Sequence, residues 1–289
     1  MKIVVTGTRG IPDIQGGVET HCEELYPLIA DKQHEIIVIR RPYYAVDRSV
    51  IVYKQVIIKD IKVLRNKHLE AFIHTFLAVL YARKVKADIV HIHAVGPALM
   101  TPLVRLLGMK AVITHHGPDY DRDKWGKFAK WILRMGEKTG MYYANHIIVI
   151  SEHIRRMIQQ KYPGKKNITL IHNGINPVSP TRSTEYLQSL DLTEYGYILA
   201  VGRLVKEKGF DRLIEAFKQL SPVSIKLVIA GDADYQDEYT QKLKEMCKGQ
   251  KNICLVGFIK GEKLAQLYTY ARIFVLPSTH EGLPIALLE

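Results

Sequence analysis

Three cysteines in 289 residues are too few and too widely spaced to staple a fold. Cys22, Cys247 and Cys254 form no CxxC or Cys/His spacing that would clamp zinc, and an odd count argues against a disulfide framework. A reducing, cytoplasmic setting fits this usage. No charged leader with an apolar core opens the chain; MKIVVTG runs straight into a strand pattern, so secretion is not expected. Long apolar runs are missing too, since the stretches 71–82 and 95–109 are short for a bilayer and carry His74 and Arg105. Acidic residues are scarce in one half only: residues 1–180 hold 27 Lys and Arg against 15 Asp and Glu, whereas 181–289 hold 14 of each. The whole net charge of +12 therefore sits in the first part. A solvated basic face explains this at its simplest; the sharper reading is a surface that approaches anionic lipid headgroups or a pyrophosphate-bearing acceptor. Along the chain no nucleic-acid motif and no interleaving of basic with aromatic residues stands out, so nucleic acid is not an expected partner.

What the chain has is apolar residues, 47% of the total, over a length that exceeds one ordinary core and predicts two domains. Short β-branched runs at 2–6, 35–39, 88–93, 111–114 and 146–150 read as buried parallel strands. Helix-like segments at 18–32, 69–84, 98–107 and 125–143 lie between them, and Ser151 is placed to cap a further short helix. Such alternation means βαβ units in a doubly wound sheet. Segment 176–195, with two prolines and many Ser and Thr, reads as the linker. The rhythm then resumes with strands near 197–201, 226–230, 253–256 and 273–276. The expectation is an α/β protein with one Rossmann-like domain over 1–180 and a second, incomplete one over 181–289, the chain as a whole reading as a fragment.

Three glycine or charge patterns carry the chemistry. The first βα turn, VVTGTRGIPDIQGGVET, lacks the GxGxxG spacing of a dinucleotide site. Its Gly16-Gly17 pair precedes a helix, where backbone N–H groups can approach an anion, though a plain tight turn explains it equally well. Later, VGRLVKEKGFDRLIEAF sets Arg203 and Lys208 just past a strand end. Carboxyl ends of parallel strands are where open α/β sheets bind ligands, and two cations there suit a diphosphate. In PSTHEGLPIALLE, Glu281 sits in a loop after a strand; a helix starting near residues 282–284 would carry Glu289 two turns inside it.

GR…K-G followed two βα units later by E-x7-E resembles the signature of the retaining glycosyltransferases of family 4, which have the GT-B fold of two Rossmann-like domains facing a cleft. TGTRGIP…GGVET, THHGPDYDRDKWG and VISEH…NGI extend the resemblance over nearly the whole chain, particularly to bacterial members that build surface polysaccharides. The resemblance implies that Arg203 and Lys208 bind the donor diphosphate, that Glu281 lies beside the transferred sugar, and that Glu289 holds the nucleotide ribose. It gives Gly16 and Gly17 an approach to the diphosphate or the acceptor, and Phe258, after Gly257, a place by the base. His116 matches the family's active-site histidine; His115 competes, but only His116 directly precedes the glycine. Asp119, Asp121 and Arg122 either hold acceptor hydroxyls or serve the following helix, one of them as its cap. Their D-x-D spacing could suggest a metal, but Lys and Arg already fill the diphosphate role, so neither metal nor other cofactor is expected.

The implied reaction moves a sugar from a nucleoside diphosphate to a hydroxyl of a glycan or lipid-linked acceptor, with retention, at or near the inner face of the cell membrane. Two alternatives remain at this level: an inert, truncated nucleotide-binding fragment, and a dinucleotide-dependent oxidoreductase or epimerase, which the glycine spacing disfavours.

Overall fold

The computed structural model describes residues 1–30, 34–64, 69–121, 125–176, 180–220, 224–233 and 237–289. The chain divides into two compact units, Met1–Gly174 and Ile175–Glu289.

In the first unit the elements run β1 (Lys2–Thr6), α1 (Gly17–Ala30), β2 (Glu35–Arg40), β3 (Val52–Tyr53), β4 (Val56–Asp60) and α2 (Glu70–Lys84). They continue with β5 (Ile89–His93), α3 (Thr101–Leu106), β6 (Lys110–His115), α4 (Lys127–Tyr143), β7 (His146–Val149), α5 (Glu152–Lys161) and β8 (Ile168–Leu170). The strands form one sheet in the order β3-β4-β2-β1-β5-β6-β7-β8, parallel except for the β3/β4 hairpin. Central strands are buried on both faces, which is why they read as unbroken β-branched runs. Cys22, Tyr26 and Ala30, four residues apart on α1, pack against Ile36, Val38, Val56 and Ile58. Ser151 caps α5 by accepting the Ile154 N–H at 3.3 Å.

The second unit runs α6 (Glu185–Ser189), β9 (Tyr197–Val201), α7 (Phe210–Gln219), β10 (Lys226–Ala230), α8 (Glu238–Cys247), β11 (Ile253–Gly257), α9 (Gly261–Thr269) and β12 (Ile273–Phe274). Its four parallel strands are ordered β11-β10-β9-β12. Strand alternation splits β10 between two cores. Leu227 and Ile229 meet Phe210, Ile214, Phe217 and Leu243, while Val228 and Ala230 meet Leu187 and Leu267. Helices thus cover both faces.

Two sequence expectations are corrected here. The stretch 176–195 is not linker throughout, because α6 lies within it and Leu187 and Leu192 are buried in the second unit's core. Two leucines at a spacing of five were too sparse to register as an apolar face. The final residues form only a 3-10 turn, Ile285–Leu287, and Glu289 is not inside a helix. One turn closes few backbone hydrogen bonds for the residues it fixes, so it does not propagate on its own.

In both sheets strand order reverses next to the first strand: between β1 and β5 in one, between β9 and β12 in the other. Loops leaving the carboxyl ends of those strands diverge there, and open α/β sheets bind ligands at such points.

Candidate functional site

In the second unit the β9 and β12 loops are locked together. Gly209 follows a 3-10 turn, Lys206–Lys208, with φ +67°, ψ 24°, a left-handed conformation that suits glycine. A Cβ on Gly209 would stand 2.5 Å from the Pro277 carbonyl oxygen, so the close approach of the two loops also requires glycine. Thr279 donates its N–H and its hydroxyl to the Glu207 carbonyl at 3.0 and 3.2 Å. These contacts bring Lys208 Nζ to 2.5 Å from Glu281 Oε1, with side chains 20% and 24% exposed. Arg203 lies in the same β9 loop, half-buried, and its neighbour Leu204 is tied by its N–H to the Asp232 carbonyl at 3.0 Å.

Two further predicted residues lie apart from that pair. Phe258 directly follows β11, is partly exposed, and succeeds Gly257, whose φ is +73°. Glu289 is held by Tyr268 of α9, whose hydroxyl donates to Glu289 Oε2 at 3.1 Å and also lies 3.0 Å from the Ala286 carbonyl. Burial, and then the Glu289 charge, push the Tyr268 phenol well above its ordinary range. Sequence reasoning missed Ser278, whose buried hydroxyl has no hydrogen-bond partner among the described residues. A small hydroxyl in an irregular loop has no periodic signal to expose it.

In the first unit the β1 loop folds over the start of α1. Glu19 accepts hydrogen bonds from the Thr8 hydroxyl and the Arg9 N–H, both at 3.0 Å. The same carboxylate lies so close to Gly16 that a Cβ there would fall 2.0 Å from its Oε2. Gly17 opens the helix with open space beside it. The positive helix end therefore already faces a carboxylate, which repels a second anion and favours a hydroxyl donor.

Beside that loop runs a chain of imidazoles that the sequence reading did not foresee. Thr114 Oγ1 lies 2.8 Å from His91 Nε2, and His91 Nδ1 lies 2.9 Å from the Tyr26 hydroxyl. Tyr26 in turn is 2.6 Å from His93 Nε2, and His93 Nδ1 is 2.9 Å from His116 Nε2. The His91/His93 and His93/His116 rings stack at 4.5 and 5.2 Å, with His21 edge-on to His93 and His116. Burial lowers His91 to about 3 and His21 to about 4, and holds His93 and His116 well below the usual histidine range; repulsion from neighbouring imidazoles adds to it for His91, His93 and His116. The chain is neutral at physiological pH, and its interior partners set which nitrogen of the half-buried His116 bears the proton. The available signal was H-I-H in β5: residues two apart share a strand face.

His115 and His116, though adjacent, go to opposite sides. His115 is fully buried, its Nε2 3.4 Å from Glu137 Oε2. Glu137 also accepts from Tyr120 at 2.6 Å, Tyr162 at 2.9 Å and Lys161. Burial alone would raise this carboxyl, but hydrogen bonds from His115, Lys161 and Tyr120 hold it near 2. Asp119 and Asp121 bound a 3-10 turn, and neither caps the next helix. The N-cap of α4 falls on Gly126 without a side-chain hydrogen bond, which corrects the capping expectation: the turn stops five residues short of it. Arg122 lies outside the described residues. Among the described residues, no three His, Cys, Asp or Glu side chains group as metal ligands, and no helix is long and apolar enough to cross a membrane.

Comparison with known proteins follows the same two-part division. Residues 15–178 match the profile of Glycosyltransferase Family 4, and residues 183–289 match that of Glycosyl transferases group 1. An uncharacterized glycosyltransferase of Methanocaldococcus jannaschii is 27% identical over 100% of this chain and 77% of its own length. The amylovoran biosynthesis glycosyltransferase AmsD of Erwinia amylovora is 22% identical over 95% of this chain and 74% of its own. Among solved structures, Anabaena HepE in complex with UDP-glucose superposes with a TM-score of 0.76 at 17% identity, over 98% of this chain and 75% of that one. Sucrose-phosphate synthase of Thermosynechococcus elongatus gives 0.78 at 20%, over 99% and 77%.

Proposed function

The chain belongs to Glycosyltransferase Family 4, and on that premise we propose that it transfers a sugar from a nucleoside diphosphate to an acceptor hydroxyl with retention at the anomeric carbon. Its fold is of the GT-B type. The observation that carries the reading is the contact between Lys208 and Glu281 where the second sheet's strand order reverses. A diphosphate entering there meets an ammonium and, from the same loop, the Arg203 guanidinium. These cations offset the charge that builds on the departing nucleotide, a stabilisation larger in the transition state than in the bound donor. Glu281, already against Lys208, is the group assigned to the sugar; Glu289 is assigned to the ribose and Phe258 to the base.

Hydrolysis by a retaining glycosidase would need two carboxyl groups about 5 Å apart acting on one bond. Here Glu281 is engaged by Lys208 and Glu289 by Tyr268, which supports transfer without a carboxylate pair. In the first unit His116 is a neutral imidazole whose tautomer is set from inside, suited to hydrogen-bonding a sugar hydroxyl; Asp119, Asp121 and Arg122 are assigned to the acceptor. The carboxylate of Glu19 against Gly16 supports assigning the Gly16-Gly17 loop to an uncharged hydroxyl partner in preference to the diphosphate. No metal is required in this scheme. UDP-glucose, bound by HepE, is the first donor to try, and AmsD's role in amylovoran synthesis supports a bacterial surface polysaccharide as the product class.

The test is a panel of UDP-, GDP- and ADP-sugars incubated with the protein and a membrane extract as acceptor source, followed by release of nucleoside diphosphate and by NMR of the product's anomeric centre. Turnover of one donor with an unchanged anomeric configuration is expected. No turnover of any donor would refute transfer, and an inverted product would refute retention.

A further inference from the structure

Thr114, His91, Tyr26, His93 and His116 each bring one proton to the imidazole chain, because burial keeps the three rings neutral and the Tyr26 phenol undissociated. Four hydrogen bonds join these five groups. Four protons fill the bonds, so the fifth stands at one end. Either His91 donates to Thr114 and the threonine O–H turns away, or Thr114 donates to His91 and the spare proton sits on His116 Nδ1. The two ends are not equivalent. Thr114 is 1% exposed, and among the described residues its hydroxyl meets a single partner, His91 Nε2. Accepting there leaves the hydroxyl hydrogen buried with no acceptor, whereas donating leaves only lone pairs unused. His116 is half-buried, and its Nδ1 meets no partner among the described residues and is not among the buried orphans, so water satisfies it in either form. The Cys22 thiol favours the same order. Kept protonated by burial and then by the Glu19 charge, it lies 3.6 Å from His93 Nε2, the nitrogen that is bare when Tyr26 donates to it.

We infer that Thr114 is a positioning residue: its hydroxyl, donating to His91, sets the direction of every bond in the chain and makes the open nitrogen of His116 a hydrogen-bond donor. The Thr114 O–H donates to His91 Nε2, His91 Nδ1–H to the Tyr26 oxygen, the Tyr26 O–H to His93 Nε2, and His93 Nδ1–H to His116 Nε2. Bonds in series reinforce one another's polarity, which is how a hydroxyl four bonds away acts on His116. Burying the Thr114 hydrogen without an acceptor disfavours the reverse order by at least about fivefold. A neutral ring with Nε2 engaged and Nδ1 protonated has no lone pair left to take a proton. His116 therefore holds a substrate oxygen by donating to it and does not act as base on an acceptor hydroxyl. That substrate role rests on the proposed sugar transfer; the direction of the chain does not.

The direction is read without substrate, by proton–nitrogen correlation spectra of nitrogen-15-labelled protein, which separate protonated from bare ring nitrogens. His116→Gln identifies the His116 signals. Protonated Nδ1 and bare Nε2 are expected for His116 in the unaltered protein. Thr114→Val keeps nearly the same shape without the hydroxyl, so neither order is favoured and both His116 nitrogens should move to intermediate shifts. Thr114→Ser should restore the original pattern. With half the molecules presenting the donor, Thr114→Val should raise the KM for the nucleotide sugar about twofold with little change in kcat. Unchanged circular dichroism confirms that each variant folds. A bare Nδ1 in the unaltered protein, or a His116 pattern that Thr114→Val leaves in place, would overturn the inference, as would a fall in kcat with unmoved signals, the mark of a merely structural residue. Moved signals with an unchanged KM would refute the substrate contact given to His116. The expected spectra with no donor turned over would leave the inference standing and sink the enzymatic reading alone.

Discussion

Replacing Lys208 by alanine and Glu281 by glutamine should move nucleoside diphosphate affinity in different directions. Lys208 Nζ stands 2.5 Å from the Glu281 carboxylate, and both side chains are about three-quarters sheltered from solvent. A charge-assisted hydrogen bond in such a setting is worth about 1.5–3 kcal/mol, so Lys208→Ala should weaken diphosphate binding about 10- to 150-fold. Glu281→Gln removes a negative charge that both engages the ammonium and repels an incoming phosphate. Diphosphate affinity should then hold or rise, while sugar transfer falls by at least about 100-fold through loss of the group beside the sugar. Isothermal titration with UDP, GDP and ADP reads the first effect and initial-rate assays the second. Loop collapse is not expected, because Gly209, Pro277 and the Thr279–Glu207 hydrogen bonds hold the loops without this pair. The double variant measures the coupling. If Lys208→Ala leaves affinity unchanged, or if both substitutions weaken it equally, the diphosphate assignment is refuted.

Three other outcomes follow from the packing. Tyr26→Phe strips the hydroxyl from His91 and His93, leaving buried ring nitrogens without it; a loss of about 1–3 kcal/mol is expected in urea unfolding followed by tryptophan emission, which reports the first unit, and an unchanged midpoint would contradict the imidazole chain. Acid should destabilise the same unit. His74 and His91 are held at about 3, by burial first and then by Arg41 and His21 respectively, against about 6.5 in the unfolded chain. Because the folded values are the lower ones, the unfolded chain takes up protons first: stability is full above about pH 6.5 and falls by about 3 kcal/mol per pH unit for the two together down to the folded values. A urea midpoint that stays level from pH 7 to 5 would refute this. Leu187→Ala should destabilise the second unit by about 2–4 kcal/mol, read by calorimetry, whereas a true linker residue would tolerate the change.

The strands and helices that carry a strong local period were legible in the sequence, and the exceptions have physical causes. β3 and β4 were missed because β3 has only two residues and the hairpin turns through Lys54 and Gln55, both at positive φ without the glycine or asparagine that usually marks it. β8 has three residues. In the site, Lys208 and Glu281 stood out because charge past a strand end is a local signal. The imidazole chain did not, because Tyr26 lies in α1, His91 in β5 and His116 in the loop just past β6.

By itself the sequence determined the two-unit α/β plan: continuous β-branched runs must be buried on both faces, and helices of matching period must cover them. Tertiary structure alone decided which distant residues meet. Lys208 and Glu281 are 73 positions apart and touch because β12 pairs with β9. Strand order of that kind depends on long-range packing, for which no local pattern in the chain is a record.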